Sequence, residues 1–244
     1  MSILKKDADL GFELLSDIIL NPSFPENEMI KKKERIKGAL KAREEDSGYI
    51  SSREFKKAVF GSHPYGRLLT GTAETIDTIT RADLIDFHSR YYVPNNAIMA
   101  VVGDVTITEV EQLIHRNFAK WISKEVTTSS LMEPNMVKVR KTITADKDLT
   151  QANIIIGHAG VSRNDPDYYA LSVMNYILGG GGFSSRLMQN IRDDKGLVYD
   201  IHSFFAADKY GGSFQVGLQT KNESANTSIE EVLKEINKIR SNPV

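Results

Sequence analysis

Apolar residues recur at helical spacing through the first half of the chain. Leu10, Leu14, Leu15 and Ile18 fall on one face of a first helix, and Asn21-Pro22 stops it, because proline brings no backbone donor and clashes with the preceding turn. Pro25 opens a second helix that runs to about Glu45, with Glu26 and Glu28 in the turn where the helix dipole favours negative charge. Its apolar positions, Met29, Ile36 and Leu40, are sparse among Lys31, Lys32, Lys33 and Lys37, the pattern of a long surface helix with a solvated face. Phe60-Gly61-Ser62-His63-Pro64-Tyr65-Gly66 is a loop rich in turn residues. Thr80 then caps a helix bearing Leu84, Phe87 and Tyr91, Ile98 to Val102 reads as a buried strand, and Thr108 caps a helix with Val110, Leu113, Ile114 and Phe118 on one side.

From Ile122 to Asn135 the periodicity vanishes and Ser, Thr and Lys dominate, the composition of a linker. Beyond it the pattern changes to alternation. Val137 and Val139 alternate with polar residues, and Asn153-Ile154-Ile155-Ile156 predicts a strand. Asp165-Pro166 begins a helix with Ala170, Leu171, Met174, Ile177 and Leu178, ended by the glycines 179 to 182. A short helix from Ser185 to about Arg192 leads through Gly196 to a strand at Leu197–Phe205. Tyr210-Gly211-Gly212 turns into the alternating run Ser213–Leu218, and a helix through Ile229, Val232, Leu233 and Ile236 closes the chain. Strands joined by short turns, with helices on one face, make an α+β arrangement with mostly antiparallel sheets. The division this predicts is residues 1–121, a linker at 122–135, and residues 136–244. The abrupt helical start and the short tail after the last helix suggest two incomplete domains.

The 31 basic residues nearly balance 32 acidic ones, a net charge of -1, so no global electrostatic argument points to nucleic acid or an anionic membrane. The longest apolar stretch, Ala97 to Val102, is far short of the roughly 20 residues of a membrane helix. Zero cysteines exclude disulfides, thiolate nucleophiles and cysteine-ligated metals, and leave the compartment open.

Zinc hydrolysis needs two ligands on one helical face, usually histidines four apart. Of the five histidines no two lie closer than 25 positions, the distance from His63 to His88. Gly179, Gly180, Gly181 and Gly182, followed by Phe183 and Ser184, follow a helix rather than a strand and lack a P-loop lysine. A flexible, backbone-accessible hinge fits them better than a phosphate cradle. In Arg192-Asp193-Asp194-Lys195-Gly196-Leu197-Val198-Tyr199 a helix end feeds a strand through a reversing glycine. Such a turn aims a guanidinium and a phenol at one spot, where they suit a peptide carbonyl and an oxygen gaining negative charge. The same spacing also describes a surface arginine and a half-buried sheet tyrosine.

Taken in order, several segments resemble the pitrilysin/insulinase family of zinc metallopeptidases, in its processing-peptidase-like branch. They are Leu15 through Pro25, His63-Pro64-Tyr65-Gly66-Arg67 with Gly71-Thr72, and Tyr91-Tyr92-Val93-Pro94-Asn95-Asn96-Ala97 running into Val101-Val102-Gly103-Asp104-Val105. Phe118, Trp121 and Phe183-Ser184-Ser185-Arg186-Leu187, leading through Arg192 to Tyr199, complete them. The resemblance implies two related domains of helices layered on mostly antiparallel mixed sheets, both incomplete here. Catalytic members carry His-x-x-Glu-His on one helix and two glutamates seven apart on a later one, the second a zinc ligand. Registered on Phe24-Pro25, those glutamates fall at Lys32 and Ala39, and neither side chain ligates zinc.

The resemblance therefore implies a non-catalytic chain that binds no cofactor, with zinc held by a partner subunit or by a segment upstream. Arg192 and Tyr199 would be substrate-binding residues, and Gly179 to Gly182 with Ser184 a hinge or substrate loop. The expected partners are a peptide substrate and a second peptidase-family subunit, in a hetero- or homodimer. Two rivals stand beside this reading: an active zinc endopeptidase whose metal motif lies upstream, and a non-enzymatic scaffold subunit.

Overall fold

The computed structural model describes residues 1–127, 133–134 and 139–242. Val137, and residues 128–132 and 135 of the expected linker, lie outside the described residues; Val139 is exposed and belongs to no strand. The chain forms two compact units, one of Met1–Lys37 with Thr72–Ser130, the other of Gly38–Gly71 with Leu131–Val244.

Among the described residues, every regular element of the first unit is a helix. Helix α1 (Ala8–Leu20) packs on α6 (Ile107–Phe118). Phe12, Leu113 and Phe118 form the buried centre, with Ala8, Leu15, Ile19, Ile114 and Trp121 against it. Residues 8, 12, 15 and 19 make one stripe of α1. Of the stripe expected from the sequence only Leu15 packs there, and Leu10, Leu14 and Ile18 are exposed. Because α1 is apolar on two faces, periodicity alone chose the wrong one. Helix α5 (Arg81–Tyr91) begins at the expected cap, where the Thr80 and Asp83 side chains bond reciprocally to each other's backbone N–H. The cap of α6 is Thr106, not Thr108, in the same arrangement with Glu109. Helix α2 (Glu26–Arg43) has no buried residue, as its charge pattern predicts. Its Lys37 bridges Glu34 and Asp77 of α4 (Ala73–Thr78), and these two carboxylates push the ammonium up to about 12.

The expected buried strand at Ile98–Val102 is a correction. The segment pairs with no strand among the described residues, and Ile98 and Val102 are fully or nearly fully exposed. Strand burial requires a hydrogen-bonded neighbour, and the described part of this unit contains none.

The second unit holds a three-stranded antiparallel sheet, β1 (Gln151–Gly160), β2 (Val198–Asp208) and β3 (Gly211–Lys221), in the order β1-β3-β2. Phe214, Val216 and Leu218 of β3 point to a core completed by Leu178, Leu187, Ile191, Ile201 and Val232 of α8 (Ala225–Ser241). Helix α7 (Tyr168–Asn175) starts after the Asp165-Pro166 turn rather than at it, and widens into a π-helical turn at Tyr176–Gly180 that takes in the first glycines. The opposite sheet face is not bare. Helix α3 (Ser47–Phe60), which the hydrophobic pattern did not reveal, is capped by the Asp46 side chain and crosses β1. There Ser51 donates to the Asn153 carbonyl at 3.2 Å, and the Phe55 ring fills the space a side chain at Gly157 would need.

Candidate functional site

Residues 179 to 199 of the second unit carry every candidate residue named from the sequence. Gly179 is buried so tightly that a Cβ would lie 2.5 Å from Ser203 Oγ, 2.7 Å from Ser203 N and 2.8 Å from Leu187. Only a glycine lets this π-turn lie on β2. The turn Gly182–Ser184 follows, with the Ser184 hydroxyl donating to the Gly181 carbonyl at 3.1 Å. It leaves Phe183 largely exposed.

The next helix widens at Met188–Asp194 into a second π-helical segment, a local form frequent at functional sites. Leu187 and Ile191 are fully buried and anchor it to the sheet. Gly196 ends it with a φ of 61°, a backbone that favours glycine. Its N–H bonds the Arg192 carbonyl, and the Leu197 N–H bonds that of Ile191, both at 3.0 Å. The chain then enters β2, and the pairing with β3 slips between Val198 and Asp200. Tyr199 is the unpaired residue of this β-bulge and is 79% exposed. A bulge re-aims a side chain that regular alternation would fix.

The structure thus brings Arg192 and Tyr199 together. Arg192 Nε donates to the Tyr199 carbonyl at 2.9 Å, and Nη1 donates to Asp193 at 3.0 Å. The guanidinium also lies over the Phe183 ring, 5.3 Å from its centroid, so the glycine–serine turn and the Arg–Tyr pair form one cluster. Among the described residues Nη2 makes no hydrogen bond, which leaves donors for an incoming oxygen. A groove of about 320 Å³ opens between α3 and the sheet, lined by Ser51, Asn153, Asp200, His202, Gln215 and Gln219 among others. His202 Nδ1 lies 3.2 Å from the Asp200 carboxylate.

Sequence reading missed three parts: the Phe183 ring, the bulge, and a carboxylate pair on α8. Glu231 and Glu235 are buried. Glu235 accepts from Arg186 at 3.1 Å and Asn190 at 3.0 Å, while Glu231 accepts from Lys195 and Lys234. Hydrogen bonds from Lys195 and Lys234 hold the Glu231 carboxyl at about 2, below its ordinary 4.5. A carboxyl with a depressed folded-state pKa contributes stability that is fully present above the unfolded value and lost as the pH falls through the folded one. We therefore expect the urea midpoint of the chain to drop between pH 4.5 and pH 2, and Glu231→Gln to flatten that part of the profile. An equally steep profile in the variant would remove Glu231 as its cause.

The described residues do not fit a zinc site. Among the described residues no group of three or more His, Cys, Asp or Glu could hold a metal ion, and on α2 an ammonium at Lys32 and a methyl at Ala39 offer no ligand. No helix of the described residues is long and apolar enough to cross a membrane.

The family model described as peptidase M16 inactive domain matches residues 78–244. An uncharacterized zinc protease of Mycobacterium leprae is 30% identical over 203 residues, 82% of this chain and 45% of the relative. One of Bacillus subtilis is 28% identical over 229 residues, 91% of this chain and 55% of the relative. The chain spans about half the length of these curated relatives. Among solved structures, a peptidase M16 inactive domain from Pseudomonas fluorescens superposes with a TM-score of 0.88 at 28% identity, over 98% of this chain and 58% of that one. A protease from Helicobacter pylori does so with a TM-score of 0.86 at 23% identity, over 97% and 58%, a likeness of fold.

Proposed function

From the premise that this chain belongs to the peptidase M16 inactive-domain family, we propose that it is the non-catalytic part of a zinc peptidase and holds the peptide substrate. Arg192 and Tyr199 are its contacts. The guanidinium takes a peptide carbonyl or carboxylate, and the phenol donates to the oxygen that becomes negative as the peptide bond is attacked. Zinc, when bound, polarises the scissile carbonyl and activates water. Its ligands lie on a partner subunit or elsewhere in the same protein, since Lys32 and Ala39 supply none. The groove that Asp200 and His202 line on the same strand receives a substrate side chain.

The observation that carries this reading is the bulge at Tyr199. It turns the phenol outward at the place where the Arg192 guanidinium is tied to the same residue's carbonyl. A scaffold has no need of such a paired donor set, and an active endopeptidase would need a carboxylate where α2 presents Ala39.

The test uses the full-length protein with its zinc-bearing part and a fluorescein-labelled unfolded peptide. Tyr199→Phe removes one neutral donor, and we expect kcat to fall about tenfold with zinc content unchanged. An unaltered kcat would take the oxyanion role away from Tyr199.

A further inference from the structure

The carboxylate pair on α8 has a geometry that a purely structural salt bridge does not need. Glu231 and Glu235 are four residues apart on one face of the helix, on either side of the fully buried Val232. They are only 8% and 3% exposed. Burying two carboxylates carries a desolvation cost that apolar residues in the same places would avoid. What they grip is the segment that presents Arg192. Arg186 and Asn190 donate to Glu235, and Lys195 donates to Glu231. These three donors are spaced four and then five residues apart, the spacing a widened helical turn keeps in one row. Arg186 enters the segment, Asn190 lies within it, and Lys195 directly precedes Gly196, whose turn leads to Tyr199.

Apolar anchoring by Leu187 and Ile191 holds the segment against the sheet but does not fix its rotation or register, because such contacts are non-directional. Hydrogen bonds to two carboxylates are directional, and a buried charge pair is best attested as a device for registry. We propose that Glu231 and Glu235 are positioning residues for Arg192. They clamp both ends of the segment so that the guanidinium stays bonded to the Tyr199 carbonyl and over the Phe183 ring. The inference deepens the peptide-holding reading and rests on it for its functional consequence, though not for the geometry itself.

Two readouts keep those apart. The first is hydrogen exchange of the Arg192 Nε–H, followed by NMR of the labelled chain. In the parent this proton is protected by its bond to the Tyr199 carbonyl. In Glu231→Gln we expect exchange about tenfold faster while the β3 amides keep their protection. Unchanged Nε–H exchange overturns the proposal. Lys195→Met releases the same clamp from a partly exposed position and gives the same result should Glu231→Gln fold poorly.

The second readout is the affinity of the chain for fluorescein-labelled, reduced and carboxymethylated α-lactalbumin, measured by anisotropy. Glu231→Gln should weaken binding about fivefold in the parent and less than twofold when Arg192 is already alanine, because the clamp then has nothing to position. Equal weakening in both backgrounds overturns a role through Arg192. If Arg192→Ala leaves binding unchanged while the Nε–H loses protection in Glu231→Gln, the peptide-holding reading falls and the positioning geometry stands.

Discussion

Replacing Arg192 by alanine is expected to lower kcat/KM for an unfolded peptide about 100-fold, measured with the full-length protein and its zinc-bearing part. That is about 2.7 kcal/mol of lost transition-state stabilisation. The size follows from the donor type. A charged donor to a peptide carbonyl or carboxylate is worth roughly twice a neutral one, so the loss should exceed that of Tyr199→Phe. Zinc content should not change, since Arg192 belongs to no metal-binding group. Arg192→Lys keeps the charge but loses the planar fork that bonds the Tyr199 carbonyl and lies over Phe183, and should recover only part of the activity. Turnover within twofold of the parent in Arg192→Ala would end the substrate-holding reading, whatever happened to stability.

The sheet of the second unit is legible because its strands turn apolar residues to the core and polar ones, such as Ser213 and Gln215, to the other face. Ile154 and Ile156 of β1 and Val216 and Leu218 of β3 all pack at the core and all fall in the runs that the sequence predicts as strands. The same rule fails at Ile98–Val102, where an apolar run without a neighbouring strand stays exposed. It also fails on α1, whose second apolar face outcompetes the one that was read. Thr106 and Thr108 are each followed three residues later by a glutamate, Glu109 and Glu111. The local signal cannot separate two overlapping capping boxes, and the helix starts where Ile107 can join it.

The candidate site divides in the same way. The seven-residue spacing of Arg192 and Tyr199 and the reversing Gly196 were visible, because a positive-φ turn has a sequence signature. The bulge was not, since a bulge is a relation between two strands and exists only once β2 and β3 are in register. Nothing in the local pattern of the closing helix marks Glu231 and Glu235 as buried. Their burial depends on Arg186, Asn190 and Lys195, about forty residues earlier. Long-range polar pairing leaves no periodic trace, which is why these groups escaped a reading built on local spacing.

Gly179→Ala is expected to destabilise the second unit by about 1 to 3 kcal/mol, seen as a lower urea midpoint by circular dichroism. The added methyl would stand 2.5 Å from Ser203 Oγ and 2.7 Å from Ser203 N, and 2.8 Å from Leu187 Cδ1. The Ser203 hydroxyl could rotate away, but the backbone nitrogen belongs to β2 and Leu187 is fully buried in the core. The π-turn must therefore lift from the sheet, and overpacking of this kind costs about 1 to 3 kcal/mol. Ser203→Ala added to Gly179→Ala should not restore the midpoint, because two of the three contacts remain. Gly38→Ala is the matched control. No atom lies within 4 Å of a Cβ there, the position is inside α2, and removing a helical glycine should raise stability by about 0.5 to 1 kcal/mol. The two substitutions add the same methyl, so opposite signs would assign the effect at 179 to the close approach of the turn to β2. A Gly179→Ala midpoint equal to the parent's would mean that the turn is a loose hinge at that residue, free to move from the strand that carries Tyr199.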